Sequence, residues 1–95
     1  MTENPELVAI FKALADSSRL KIVGLLAQQP YSVEQLAALL NLKPSTVSHH
    51  LARLSEVGLV SARAESSSNI YSLDKTAFEE TTRRIFSRGE GNTGG

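Results

Sequence analysis

His49 and His50 stand side by side in the stretch KPSTVSHHLARL, Lys43 to Leu54, and they are the two histidines of the chain. Imidazoles can bind a metal, move a proton or contact a partner, and spacing decides among these. A helical two-histidine metal site needs positions i and i+4. Adjacent residues on a helix point about 100° apart, so His49 and His50 do not converge. Neither has a carboxylate at i+4. Ser48 beside His49 meets the same objection as a nucleophile and base, because neighbouring helical side chains do not meet. Glu79-Glu80 are adjacent as well and read as a solvated helix face. With no cysteine in the chain, disulfides, thiolate metal sites and a cysteine nucleophile are excluded. No residue set supports a reaction, so the reading is not an enzyme, with no metal and no cofactor.

Contact with a partner remains, and its meaning depends on the elements around the stretch. Pro5 to about Leu14 has Leu7, Ile10, Phe11 and Leu14 at helical spacing, and Pro5 suits a first turn. Asp16-Ser17-Ser18 can cap a second helix reaching about Gln28. There Leu20, Val23 and Ala27 share a face that Ile22, Leu25 and Leu26 widen. Ser32 with Gln35 forms a capping-box pattern opening a third helix, whose inner stripe is Leu36, Ala37 and Leu40. Asn41 can stop it in a left-handed conformation. A three-residue turn leads to a fourth helix from Pro44, closed by Gly58 with Leu59 as the apolar contact. Two helices joined so tightly make a helix-turn-helix.

After Gly58 the period becomes two. Val60, Ala62 and Ala64 alternate with Ser61, Arg63 and Glu65; Ser66 to Asn69 reads as a turn, and Ile70 to Leu73 as a return strand. Asp74 can cap a last helix with Phe78, Thr82, Ile85 and Phe86 on one side. The expected fold is mainly α with a small antiparallel β-hairpin, in the order α-α-α-α-β-β-α, over residues 1–88. Residues 89–95 have no apolar pattern and read as a flexible tail, or as a linker to a C-terminal effector domain.

On a wheel of the fourth helix, Val47, Leu51 and Leu54 face the core. Ser45, His49, Ala52 and Glu56 point outward, with Thr46 and Arg53 beside them. Ser48 lies on one flank and His50 on the other, near Val57. One reading is an idle polar surface. The other is a DNA-reading face: short hydroxyl side chains let a helix approach a groove, and the second helix of such a motif is the one that enters it. A net charge of zero over 95 residues counts against a strongly electrostatic binder. Residues 43–64 nevertheless hold Lys43, Arg53 and Arg63 against Glu56 alone. No apolar run approaches the roughly 18 residues of a membrane span, and MTENPELVAI is not a signal peptide, so a cytoplasmic location is expected.

The blocks FKALADSSRLKIVGLLA, VEQLAALLNLKPSTVSHHLARLSEVGLVSAR and IYSLD resemble the arsenical-resistance-repressor (ArsR) family of winged helix-turn-helix transcriptional regulators, over roughly Phe11 to Asp74. The resemblance implies a homodimer formed by the first and last helices, with the fourth helix in the major groove of double-stranded DNA and the hairpin as a wing on the backbone or minor groove. On that reading Lys43, Ser45, Thr46, Ser48, His49, Arg53 and Arg63 contact DNA. Leu7, Ile10, Phe11, Phe78, Ile85 and Phe86 are dimer surface or core. The chain departs from the family's two familiar metal sites. Tyr31, Ser32 and Val33 stand where cysteines would be, and the last helix offers Asp74, Glu79 and Glu80 without a histidine. Two alternatives are a winged-helix protein-interaction module and a metal-responsive regulator with a non-standard site.

Overall fold

The computed structural model describes the backbone of residues 5–93 and the side chains of residues 5–84. Five helices and three short strands follow one another as α1 (Pro5–Leu14), α2 (Ser17–Leu26), β1 (Tyr31–Ser32), α3 (Val33–Leu40), α4 (Pro44–Glu56), β2 (Val60–Glu65), β3 (Ser68–Leu73) and α5 (Lys75–Thr93). Local chemistry marks most boundaries. The Asp16 carboxylate accepts from the Arg19 N–H at 3.0 Å and opens α2. Ser32 and Gln35 complete the capping box of α3, with bonds of 3.1 and 2.9 Å. Asn41 closes α3 at φ 56°, and the Leu42 N–H reaches back to the Ala37 carbonyl at 3.0 Å.

The end of α4 follows the same logic. Gly58 adopts φ 80°, a region costly for any residue with a Cβ. The Leu59 N–H then bonds the Leu54 carbonyl at 3.0 Å, and Leu59 is buried. Its own carbonyl accepts from the Asp74 N–H at 2.8 Å. Asp74 in turn caps α5 by accepting from the Ala77 N–H at 3.1 Å. The end of α4 and the start of α5 are thereby joined through one residue.

The sheet differs from the expected two-stranded hairpin. It has three antiparallel strands in the order β1-β3-β2, with Tyr31 opposite Tyr71 and Ser32 opposite Ile70. Two residues are too few to show a period, so β1 left no pattern to read. The hairpin is tighter than expected. Glu65 pairs with Ser68, leaving Ser66-Ser67 as the turn, with Ser66 at φ 56°. Ser68 and Asn69 belong to the return strand.

The core comes mainly from α2, α3 and α4. Ile22, Leu36, Val47, Leu51, Leu54 and Leu59 are its fully buried side chains. Two expected stripes are corrected. On α2 the inward face is Ile22, Val23 and Leu26, while Leu20 and Ala27 are exposed. The helix ends at Leu26 rather than Gln28, tightening as the Gln28 N–H bonds the Leu25 carbonyl at 3.0 Å. On α1, Ile10 and Ala13 enter the core, whereas Val8 and Phe11 face outward. Ile10 is therefore a core residue and not dimer surface. The side chains of Ile85 and Phe86 lie outside the described side chains; the expected tail at 89–95 is corrected, because α5 continues through residues 89–93 to Thr93.

Candidate nucleic-acid interface

Helix α4 is anchored by its apolar side. Val47, Leu51 and Leu54 are spaced four and three residues apart, so they fall on one stripe and bury together. That seam decides what the opposite side presents. Ser45, Ser48 and His49 are exposed, Thr46 is half-buried at their margin, and Arg53 is exposed one turn on. The expected groove-facing set is thus brought together on the outside of one helix.

Lys43 occupies the N-cap position and makes no side-chain cap bond. Pro44 follows at the first helical turn, where its missing N–H costs nothing. The exposed Lys43 ammonium therefore sits where the unpaired N–H groups of the helix start already favour an anion. Arg63 lies on β2, opposite Ile70 in the wing.

The two arginines carry neighbours that the sequence reading did not assign. Arg53 lies 3.6 Å from Glu56 and Arg63 lies 3.2 Å from Glu65. Both pairs are more than half exposed. Such pairs contribute little in water, about 0–1 kcal/mol, so a phosphate can displace the carboxylate at small cost. Arg53 and Glu56 are three apart on a helix, which the sequence could reveal. Arg63 and Glu65 are two apart on a strand and so share a face, a rule equally available beforehand.

The two histidines part as the wheel indicates. Their ring centroids are 6.2 Å apart with the planes tilted by 58°. His49 is exposed; His50 is half-buried, and its Nδ1 lies 3.3 Å from Arg19 Nη1. Arg19 is a residue that sequence reasoning missed. Its Nε also donates to the Ala13 carbonyl at 2.6 Å. Asp16, beside it, has its carboxyl held below the ordinary aspartate range, first by the Arg19 backbone N–H. Burial opposes the effect, while the charge of Arg19 adds to it. Among the described residues, no group of three or more histidines, aspartates or glutamates is placed to hold a metal ion, and no helix is long and apolar enough to cross a membrane.

A second surface lies on α1 and α5. Val8, Phe11 and Phe78 are exposed there, and Arg84 on α5 lies 3.4 Å from Glu6 on α1. Leu7, also on α1, is half-buried.

Residues 16–62 match the model of the bacterial regulatory protein, arsR family. The chain is 39% identical to the transcriptional activator HlyU of Vibrio cholerae over 82 residues, which span 83% of this chain and 76% of that protein. It is 38% identical over 74 residues to the biofilm growth-associated repressor of Agrobacterium fabrum, covering 76% of this chain and 63% of that one. In three dimensions it is similar to the homodimeric winged helix-turn-helix DNA-binding domain of Mb0332 from Mycobacterium bovis, a possible ArsR-family regulator. That similarity has a TM-score of 0.75 and 28% identity, and it covers 96% of this chain and 85% of that one. The second helix of a helix-turn-helix, the β2–β3 wing of a three-stranded sheet and these similarities lead to one conclusion: the chain belongs to the ArsR family of bacterial transcriptional regulators.

Proposed function

We propose that the chain binds an inverted-repeat operator as a homodimer and represses the genes downstream. The observation that carries the reading is the outward side of α4, where Ser45, Ser48 and His49 are exposed together at the groove-entering position of the motif. Ser45, Thr46, Ser48 and His49 form the groove-facing set; Lys43, Arg53 and Arg63 form the phosphate set. Val8, Phe11 and Phe78 supply the apolar dimer surface, together with Leu7 on α1. A dimer of this kind sets its two reading helices roughly 34 Å apart, one turn of DNA. Operator occupancy then blocks transcription by exclusion.

Footprinting of the DNA upstream of its own gene tests this reading. The expected result is a protected inverted repeat whose half-sites lie about one helical turn apart. Absence of any specific protection would favour the protein-interaction reading instead.

A further inference from the structure

Arg19 holds three helices at once. Its backbone N–H donates to Asp16 at 3.0 Å, its Nε donates to the Ala13 carbonyl at the end of α1 at 2.6 Å, and its Nη1 lies 3.3 Å from His50 Nδ1 on α4. Among the described residues this last contact is the side-chain hydrogen bond that joins α4 to another helix. The apolar seam of Val47, Leu51 and Leu54 is non-directional and sets how deep α4 sits. A hydrogen bond from a guanidinium already fixed at Ala13 adds direction.

The chemistry of the pair dictates a protonation state. A guanidinium has five donors and no acceptor. For Arg19 to donate here, His50 Nδ1 must offer its lone pair, which requires a neutral ring with its proton on Nε2. A proton on Nδ1 would remove the acceptor and set two cations face to face. We infer that Arg19 is a positioning residue for the reading helix of this regulator, and that its hold on α4 lasts only while His50 is neutral. The inference rests on the operator-binding reading above. His49 and Ser48 precede His50 directly, so a shift of this turn moves the groove-facing set.

Charged and titratable groups surround Arg19 and the His50 ring. Asp16 interacts electrostatically with His50, and it is already engaged as the cap of α2. A cleft of about 210 Å³ between α1, α2 and α4 brings Lys12, Arg53 and Glu56 near Arg19. The His49 ring is 6.2 Å away. Cations outnumber carboxylates around Arg19, so a charged His50 ring there adds repulsion to the lost bond.

Operator affinity measured from about pH 8 to about pH 5.5, the span in which imidazoles change charge, tests the inference. His50→Asn is the reference, since its amide oxygen keeps an acceptor near the place of Nδ1 and does not titrate. His49 is present in both proteins, so any contribution it makes cancels. The expected result is that wild type loses about three- to tenfold more affinity than His50→Asn across that span, as expected for losing one charge-assisted hydrogen bond, with circular dichroism unchanged. Parallel pH profiles would overturn it. A second measurement needs no DNA: long-range proton–nitrogen spectra of the free protein should show His50 protonated on Nε2, and Arg19→Gln should mix the tautomers. A proton on Nδ1 overturns the tether whatever the DNA result. The expected tautomer with no operator binding at any pH leaves the tether standing and removes the operator reading.

Discussion

Each arginine of the phosphate set carries a carboxylate within 4 Å, and this shapes what single substitutions do. Arg63→Ala should weaken binding to operator and random DNA alike and flatten the salt dependence by about one unit, measured by titration at several salt concentrations. Glu65→Gln should act in the opposite direction and strengthen both by about two- to fivefold, because it removes the carboxylate that competes with phosphate. Asp16 gives a pH prediction. Its carboxyl is depressed in the folded chain, so its charge stabilises the fold above the unfolded value of about 3.9, and that contribution is lost as pH falls through the lower folded value. Asp16→Asn keeps a capping oxygen without the charge. Its melting temperature should fall below that of wild type at neutral pH, and the gap should close in acid below about pH 4.

At the scale of elements, legibility followed the range of the interaction. Caps are local, so Asp16, the Ser32–Gln35 box, Asn41, Gly58 and Asp74 could all be read from neighbours in sequence, and each stands where expected. The paired strand β1 depends on Tyr71 and Ile70, some forty residues away in sequence, and no local pattern encodes it. The inner face of α2 was misjudged because Leu20, Ile22, Val23, Leu25 and Leu26 surround most of the helix. Periodicity cannot rank faces that are all apolar, and only packing against α1, α4 and β3 selects Ile22, Val23 and Leu26. The outward side of α4 was legible because Val47, Leu51 and Leu54 define one unambiguous stripe. The Arg19–His50 contact was not, since the two residues are 31 apart in sequence. Gly58 gives the element-scale prediction. A Cβ there would meet nothing within 4 Å, so Gly58→Ala should cost about 1 kcal/mol in chemical denaturation through backbone strain alone.

For the whole molecule, a net charge of zero means that long-range attraction supplies little affinity, and specificity must come from fitted contacts made twice. That places weight on the dimer. Phe11 is 52% exposed and Phe78 39%, on the helices that Glu6 and Arg84 bridge. Phe11→Glu should leave the circular dichroism spectrum intact, shift the sedimenting species to a monomer, and reduce operator affinity by well over about tenfold, since each half-site must then bind alone. Operator recognition, as proposed, depends most directly on α4 reading bases with its outward side. The ratio of operator to random-DNA affinity, measured for wild type and for Ser48→Ala/His49→Ala, tests it. The predicted result is a ratio reduced by about tenfold or more with an unchanged melting temperature; a ratio equal to that of wild type would contradict it.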